Sequence, residues 1–217
     1  EVSDHAMALL LALARKIPFS NRLVQSGRWE MPAVAPLRRL DGQVLGLLGF
    51  GNIPRALVPK AKAFGLKVIA YDPFAPQDVF IAAGVESASF DSLLARADFV
   101  SVHAPLTPAT RDLVNAQAFA KMKKGALIVN TARGPLIDEP ALIAALDSGH
   151  LGGAALDVVA DEPLAKDSPL IGRDNVILTP HTAFYSVEAL EELQTKCASD
   201  VARVLSGEKP VYPVKAG

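Results

Sequence analysis

Residues that could carry out acid–base chemistry or bind a carboxylate stand directly after short apolar runs of this sequence. Arg133 follows one such run, Glu162 follows the next, and His181 follows a third. A histidine can deliver a proton near neutral pH, and a neighbouring carboxylate stabilises its protonated form. The planar guanidinium of an arginine suits a carboxylate group. These residue types therefore fit chemistry at a carbonyl group beside a carboxylate, if the fold brings them together.

A glycine-rich turn, Gly49-Phe50-Gly51-Asn52-Ile53, follows the first apolar run and opens a helical segment. Gly49 permits a tight turn, and Gly51 lets the backbone approach a phosphate at the positive end of the helix. Pro54 replaces the third glycine of the usual pattern, and proline is tolerated in the first turn of a helix. A match of two glycines alone could also be an ordinary strand–helix turn.

A carboxylate near the end of the second apolar run strengthens the case for a dinucleotide site. Asp72 lies close to the spacing of about 20 residues at which such folds bind the adenosine ribose. A carboxylate there also repels a 2′-phosphate, so the pattern favours NAD over NADP. The alternative is that Asp72 only forms a turn before Pro73. The turn and the carboxylate together predict NAD binding.

The elements that must position these residues alternate along the chain. The apolar runs are nearly continuous, which is typical of strands covered on both faces. Helical patterns separate them, so the sequence predicts an α/β fold with a doubly wound parallel sheet, Rossmann-like, and ligands at the carboxyl edge of its strands. Predicted strands span residues 44–48, 67–71, 99–102, 126–129, 154–156 and 176–178; predicted helices span 53–64, 91–95, 116–122, 139–146 and 187–206.

Composition argues against several classes of partner. Half of the residues are hydrophobic, 21% are charged and the formal net charge is −1, so we expect neither nucleic acid nor a membrane surface as a partner. The apolar run 6–14 is too short to span a bilayer and is interpreted as the buried face of a helix. Residues 17–43 are rich in proline and glycine and are interpreted as a connecting segment.

The cysteine and histidine content bounds redox and metal chemistry. Cys197 is the single cysteine, which excludes an internal disulfide and fits a reducing, cytoplasmic location. Asp157, Asp161 and Glu162 could indicate a metal site, but no histidine or cysteine neighbours them at ligand spacing, so no metal is predicted. We interpret the remaining candidates as structural or exposed: His5, His150 and Cys197.

The segments at residues 130–134, 156–163 and 179–181 resemble those of the D-isomer-specific 2-hydroxyacid dehydrogenases in their order and in their residues. Matching segments run from residue 2 to the end of the chain. Residues 181–186 are most similar to the branch that contains C-terminal-binding proteins and phosphoglycerate dehydrogenase-like enzymes. That branch includes NADH-sensing transcriptional corepressors.

The resemblance implies a role for each matching position. Arg133 would pair with the substrate carboxylate, His181 would exchange a proton with the substrate oxygen, and Glu162 would orient His181. Asp157 would hold the nicotinamide amide, and Phe184 would lie near the substrate. The implied cofactor-binding set is Gly49, Gly51, Asn52, Ile53, Asp72, His103, Ala104, Pro105, Thr131, Ala132, Asp157 and His181.

The same resemblance implies the organisation of the chain. Residues 1–186 would form the NAD-binding domain with a leading dimerisation helix and a linker. Residues 187–217 would be a C-terminal helix and tail of the substrate domain, whose N-terminal part we expect to be missing. We expect a homodimer, because the apolar residues of the first helix are too many for one face of a monomer's surface helix. The function implied is NAD-dependent interconversion of a 2-oxo acid and a D-2-hydroxy acid; the alternative is an NAD(H)-sensing interaction module.

Overall fold

A computed structural model describes residues 1–213 and divides the chain into two units. The larger unit is Val2–Ala183, and the smaller one comprises Glu1 and the C-terminal segment that begins at Phe184. Both units are built mainly from the elements that the apolar periodicity predicts. In the described part of the chain, no helix is both long enough and apolar enough to cross a bilayer.

Within the described residues, seven parallel strands form one sheet in the order β3-β2-β1-β4-β5-β6-β7. This order reverses direction between β1 and β4, where doubly wound folds bind dinucleotides. The fold class is therefore confirmed. The strands are β1 Val44–Leu48, β2 Lys67–Tyr71, β3 Glu86–Ser87, β4 Phe99–Val102, β5 Ala126–Asn130, β6 Leu151–Leu156 and β7 Val176–Leu178.

Helices cover the two faces of this sheet. One apolar cluster joins α1, α3 and α4 to one face, and a second joins α5, α6 and α7 to the other. Burial on both faces explains why the strands are almost continuously apolar in sequence. The helices are α1 Val2–Ala14, α2 Ile17–Gln25, α3 Asn52–Ala63, α4 Gln77–Ala83, α5 Phe90–Arg96, α6 Ala116–Lys121, α7 Glu139–Asp147 and α8 Val187–Leu205, with 3-10 turns at Met31–Val34 and Gly134–Leu136.

Three short elements were not expected from the sequence. Helix α2 lies in the segment that we interpreted as a connection, and α4 and β3 lie between two expected elements. Pro18 was interpreted as part of a connecting segment. In the structure it occupies the first turn of α2, where its missing N–H needs no partner. Elements of this length carry too few periods of hydrophobic pattern to be recognised locally.

Helix α1 changes the argument for a dimer. Its apolar residues Met7, Leu9, Leu10 and Leu13 are buried, and the helix packs on α3 and on strands β5, β6 and β7 of its own chain. Leu11 is half-buried. The number of apolar residues in α1 is therefore explained by the fold of one chain, and it was wrong to take it as a sign of a second copy.

The smaller unit consists mainly of α8. Ser186 caps its start by accepting a hydrogen bond from the Ala189 N–H, and the Asp200 carboxylate accepts hydrogen bonds from the N–H groups of Val211 and Tyr212. None of the residues of α8 is buried. The assignment of residues 187–217 to a substrate domain stays a prediction, and its last four residues, 214–217, lie outside the described residues.

Candidate active site

The glycine turn after β1 is held against the end of β4. Gly49 has a φ of 93°, and its N–H donates to the Tyr71 carbonyl at 2.8 Å. A Cβ on Gly49 would lie 2.8 Å from both the Ala104 nitrogen and the His103 carbonyl carbon. Only glycine fits this conformation and this close approach.

Beyond that turn, helix α3 begins with open space in front of it. A Cβ on Gly51 would meet nothing within 4 Å, and Asn52 and Ile53 are exposed in the first turn. Pro54 is buried in the same turn, a position at which its missing N–H would have no helical partner. Bare backbone beside a helix start is the arrangement that binds a pyrophosphate.

Asp72 ties the end of β2 to the glycine turn. Its Oδ2 accepts a hydrogen bond from the Phe50 N–H at 2.8 Å, and its Oδ1 accepts from the N–H groups of Phe74 and Ala75. Each carboxylate oxygen can accept more than one hydrogen bond. The turn-forming role and the ribose-binding role predicted for Asp72 are therefore compatible, because the carboxylate can do both.

His103, Ala104 and Pro105 follow β4 on the other side of the turn. The Ser101 hydroxyl lies 2.8 Å from Nε2 of His103, and burial lowers the pKa of His103 to about 4. The ring is therefore neutral at physiological pH. Ala104 is buried and Pro105 is exposed, so this segment supplies an uncharged wall beside the phosphate turn.

The loop after β5 carries Thr131, Ala132 and Arg133. The Asn130 side chain braces it, accepting from the Ala132 N–H and donating to the Arg133 carbonyl. The Thr131 hydroxyl is buried and makes no hydrogen bond within the described residues. A buried hydroxyl without a partner is unusual in a finished core and is expected where a ligand supplies the partner.

Gly134 brings the β5 and β6 loops into contact. A Cβ on Gly134 would lie 1.8 Å from the Val159 carbonyl oxygen, so the two backbones touch only because this residue is glycine. Glu162 continues the β6 loop, and its Oε1 accepts a hydrogen bond from the Val159 N–H at 3.3 Å. The loop that holds Arg133 thus supports the loop that holds Glu162.

His181 and Glu162 form a pair at the carboxyl edge of the sheet. Nδ1 of His181 lies 2.7 Å from Oε2 of Glu162. Since a carboxylate only accepts, Nδ1 must carry the proton, which fixes the tautomer and orientation of the ring when it is neutral. Arg133 lies in the loop after β5. Its side chain is exposed, and its Nη1 donates to the Ala132 carbonyl at 2.6 Å.

The Asp157 carboxylate is held by hydrogen bonds from the chain itself. The Asp157 side chain is fully buried. Its oxygens accept hydrogen bonds from the Thr179 hydroxyl and from the N–H groups of Thr182 and Ala183. These bonds fix the position of the carboxylate, and its role at the nicotinamide amide, which the resemblance implied, stays a prediction.

The remaining predictions concern Phe184 and metal binding. Phe184 is exposed and belongs to the smaller unit. Among residues 1–213, no cluster of three or more His, Cys, Asp or Glu side chains is arranged to hold a metal ion. A cavity of about 860 Å³ lies at the opposite, amino edge of the sheet, where residues such as Gln43, Asp98 and Asn175 line it. It contains none of the predicted site residues.

The glycine turn, Asp72 and the unpartnered Thr131 hydroxyl together fit a dinucleotide. Comparison with known proteins agrees: residues 7–183 match the family described as "D-isomer specific 2-hydroxyacid dehydrogenase, NAD binding domain". The chain belongs to this family. The predicted family and the predicted cofactor, NAD, are both confirmed by this match.

Individual relatives agree with the family assignment. The chain is 42% identical over 214 residues to D-3-phosphoglycerate dehydrogenase 2, chloroplastic, of Arabidopsis thaliana, covering 99% of this chain and 34% of that protein. The TT0316 protein of Thermus thermophilus superposes with a TM-score of 0.91 at 36% identity, covering 99% of this chain and 68% of that one. D-lactate dehydrogenase of Lactobacillus jensenii, solved with NAD⁺, gives 0.88 at 29% identity and the same coverages. The chain thus spans about a third of the length of the curated relative.

Sequence reasoning missed several residues that build the site. Gly134 and Asn130 were part of a recognised segment, but their bracing roles depend on contacts between loops. His5 was interpreted as structural or exposed, yet its Nε2 lies 3.0 Å from the Thr179 hydroxyl. In sequence these two residues are 174 positions apart, so no local pattern could have paired them.

Proposed function

We propose that the protein is an NAD-dependent oxidoreductase that interconverts a 2-oxo acid and a D-2-hydroxy acid. The hydrogen-bonded pair of His181 and Glu162, 2.7 Å apart at the same carboxyl edge of the sheet as the glycine turn, carries this proposal. A site that only binds a dinucleotide has no need of an acid–base pair. The names of the relatives, D-3-phosphoglycerate dehydrogenase and D-lactate dehydrogenase, are consistent with this reaction class.

The residues divide the chemistry between them. When bound, NADH supplies the hydride. Because Glu162 engages Nδ1 of His181, proton exchange with the substrate oxygen would run through Nε2 of the same ring. The Glu162 carboxylate would stabilise the imidazolium, and the Arg133 guanidinium would pair with the substrate carboxylate. His103, kept neutral by burial, would leave the cofactor cleft without an added positive charge.

The alternative function is an NAD(H)-sensing interaction module. Such a module would bind the dinucleotide through the glycine turn and Asp72 and would not turn over substrate. The hydrogen bond between His181 and Glu162 favours the enzyme, because binding of a dinucleotide alone requires no acid–base pair.

The test is a turnover assay on the full-length protein. NADH oxidation is followed with pyruvate, glyoxylate and hydroxypyruvate, and NAD⁺ reduction with D-3-phosphoglycerate. We expect turnover of at least one substrate, and its loss in His181→Gln. The matched control is His150→Gln, because the His150 ring hydrogen-bonds to the carbonyls of Phe119 and Met122, which are not among the predicted site residues. NADH binding without turnover of any acid would favour the sensing module instead.

We further propose that the protein forms a homodimer through the region of α2 and the turn that follows it. Trp29 and Met31 are 88% and 78% exposed, and Ile17 and Val24 in α2 are also exposed. Large apolar side chains clustered on a surface commonly mark a protein interface. Light scattering at micromolar concentration should return twice the chain mass, and Trp29→Ser should shift it toward the monomer. A monomeric parent protein would contradict the proposal.

We also propose a reducing, cytoplasmic location. The exposed Cys197 has no second cysteine with which to form a disulfide within the chain, which fits a reducing environment. Two Arabidopsis relatives are named chloroplastic, so plastids are the competing location. Fractionation of the source cells, with detection by antibody, would decide between them.

A further inference from the structure

His181 has a backbone conformation that needs outside support. Its φ is 55°, in the left-handed region, and its side chain has a Cβ. Residues other than glycine are uncommon in this region, and the conformation persists where the surrounding structure supports it. The direction of the imidazole ring depends on this conformation, so whatever imposes it also aims the proposed acid–base group.

Asp157 supplies much of that support. Its backbone carbonyl accepts a hydrogen bond from the His181 N–H at 2.9 Å. Its carboxylate accepts from the next two N–H groups, those of Thr182 and Ala183, also at 2.9 Å. Asp157 therefore holds the backbone by hydrogen bonds at His181 and at the two residues that follow it. Because the carboxylate is fully buried, water does not compete for these bonds.

Thr179 and His5 complete the support from the other side. The Thr179 hydroxyl lies 2.5 Å from Oδ1 of Asp157, and since a carboxylate only accepts, the hydroxyl donates to it. A hydroxyl has one proton, so it must then accept from Nε2 of His5 at 3.0 Å. Nε2 of His5 also lies 3.4 Å from Oδ1 of Asp157. A directed relay of hydrogen bonds results, from His5 to Thr179 to Asp157.

This relay joins two distant parts of the larger unit. His5 lies in the first turns of α1, whose buried face packs on β5, β6 and β7, whereas Thr179 and Asp157 lie just beyond β7 and β6. The helix is thus a rigid support for the turn that carries His181. None of the three relay side chains contacts the Glu162 carboxylate in the described contacts.

We propose that His5, Thr179 and Asp157 form a positioning relay that fixes the His181 turn and thereby aims the imidazole at Glu162 and the substrate. His5 and Thr179 act through Asp157 and do not touch the substrate. The inference rests on the proposed function for its effect on turnover. Its effect on the geometry of His181 does not depend on that function.

The first experiment compares Thr179→Val with Thr179→Ser in the full-length protein. Valine has the shape of threonine but cannot donate to Asp157, whereas serine keeps the hydroxyl. We expect Thr179→Val to lower kcat at least tenfold, with the Kd for NADH changed less than twofold. Thr179→Ser should recover most of kcat. Equal kcat in the valine and serine variants would overturn the relay.

The second experiment removes the far end of the relay. His5→Leu should lower kcat without a matching rise in the Kd for NADH, and His5→Gln, whose amide can still donate, should lower it less. His150→Leu is the matched control, because this half-buried histidine also bonds across elements but lies away from the site. If both leucine variants lose kcat only in proportion to their loss of Tm, His5 has a merely structural role and the proposal fails.

A measurement without turnover separates this proposal from the function on which it rests. The Nδ1 proton of His181, held by Glu162, should give a downfield NMR resonance in the unmodified protein. We expect Thr179→Val to weaken or shift that resonance even if no 2-oxo acid is ever reduced. An unchanged resonance would overturn the relay while leaving the proposed reaction intact. A shifted resonance in a protein without activity would leave the relay and overturn the reaction.

Discussion

At the scale of single residues, Asp72 has two tasks that a substitution can separate. Its carboxylate holds the Phe50 N–H and the turn at Phe74, and its negative charge would exclude a 2′-phosphate. In Asp72→Asn the loss of the acceptor at Phe50 should weaken NADH and NADPH binding alike. The loss of charge acts differently on the two cofactors, so the ratio of the two dissociation constants isolates the recognition of the ribose.

We therefore expect Asp72→Asn to narrow the preference for NADH over NADPH by at least tenfold. A lost charge-assisted hydrogen bond to a ribose hydroxyl costs roughly 1.5–3 kcal/mol. Fluorescence titration with both cofactors measures the change, and Asp78→Asn, on the exposed first turn of α4, is the control. Equal affinity of the unmodified protein for NADH and NADPH would contradict the prediction.

The charge of Glu162 makes a second prediction at this scale. Glu162→Gln keeps an oxygen that can accept from Nδ1 of His181 but removes the charge that stabilises the imidazolium. The protonated ring is the form that donates in reduction of a 2-oxo acid. The full-length Glu162→Gln protein should therefore reduce 2-oxo acids with a lower kcat than the parent protein. Comparison of kcat for the two proteins measures the loss, and equal kcat values would remove Glu162 from the mechanism.

At the scale of elements, the turn between β1 and α3 separates a folding requirement from a binding requirement. Gly49 combines a left-handed φ with a close approach to the end of β4, whereas Gly51 has a negative φ and open space where a side chain would project. The two glycines are close in sequence, but the fold requires the glycine at 49, whereas binding of a cofactor would require the glycine at 51.

Alanine substitutions should show this difference. Gly51→Ala should leave the free energy of unfolding within about 0.5 kcal/mol of the parent, because its Cβ meets no protein atom within 4 Å. The same methyl group would stand where a pyrophosphate approaches the backbone, so the Kd for NADH should rise at least tenfold. Gly49→Ala should instead lower Tm. Unchanged NADH affinity in Gly51→Ala would show that the cofactor does not approach this backbone.

The elements also show what the sequence could predict and what it could not. Strands β1, β2, β4 and β7 were predicted with their observed bounds, because burial on both faces leaves a continuous apolar run. The pairing of Glu162 with His181 was expected from the family pattern. The contact of Gly134 with Val159 and the relay from His5 to Asp157 join distant segments, and such contacts leave no periodic signal in one sequence.

At the scale of the whole molecule, the predicted site residues of the larger unit lie at the carboxyl edge of the sheet. Loops after β1, β2, β4, β5, β6 and β7 contribute, as the parallel topology requires. The amino edge, with its cavity of about 860 Å³, contributes none of them. Binding of NADH therefore needs only this one edge, whereas catalysis also depends on how far water is excluded from it.

This distinction predicts the behaviour of the 217-residue chain by itself. The side chains of His181 and Glu162 are 42% and 38% exposed. An ion pair so open to solvent contributes only about 0–1 kcal/mol, and an Arg133–carboxylate pair in the same surroundings would gain as little. In two-domain dehydrogenases, closure of a second domain removes this water and brings the reacting atoms together.

We therefore expect the 217-residue chain to bind NADH and to turn over poorly or not at all. The elements for binding are local and all present: the glycine turn, Asp72 and the Thr131 hydroxyl. Fluorescence titration measures binding, and NADH oxidation with pyruvate, glyoxylate and hydroxypyruvate measures turnover; Gly51→Ala is the control for specific binding. Turnover on the order of 10 per second would show that the exposed His181–Glu162 pair needs no further enclosure. Failure to bind NADH would mean that the local elements at the sheet edge are insufficient even for the cofactor.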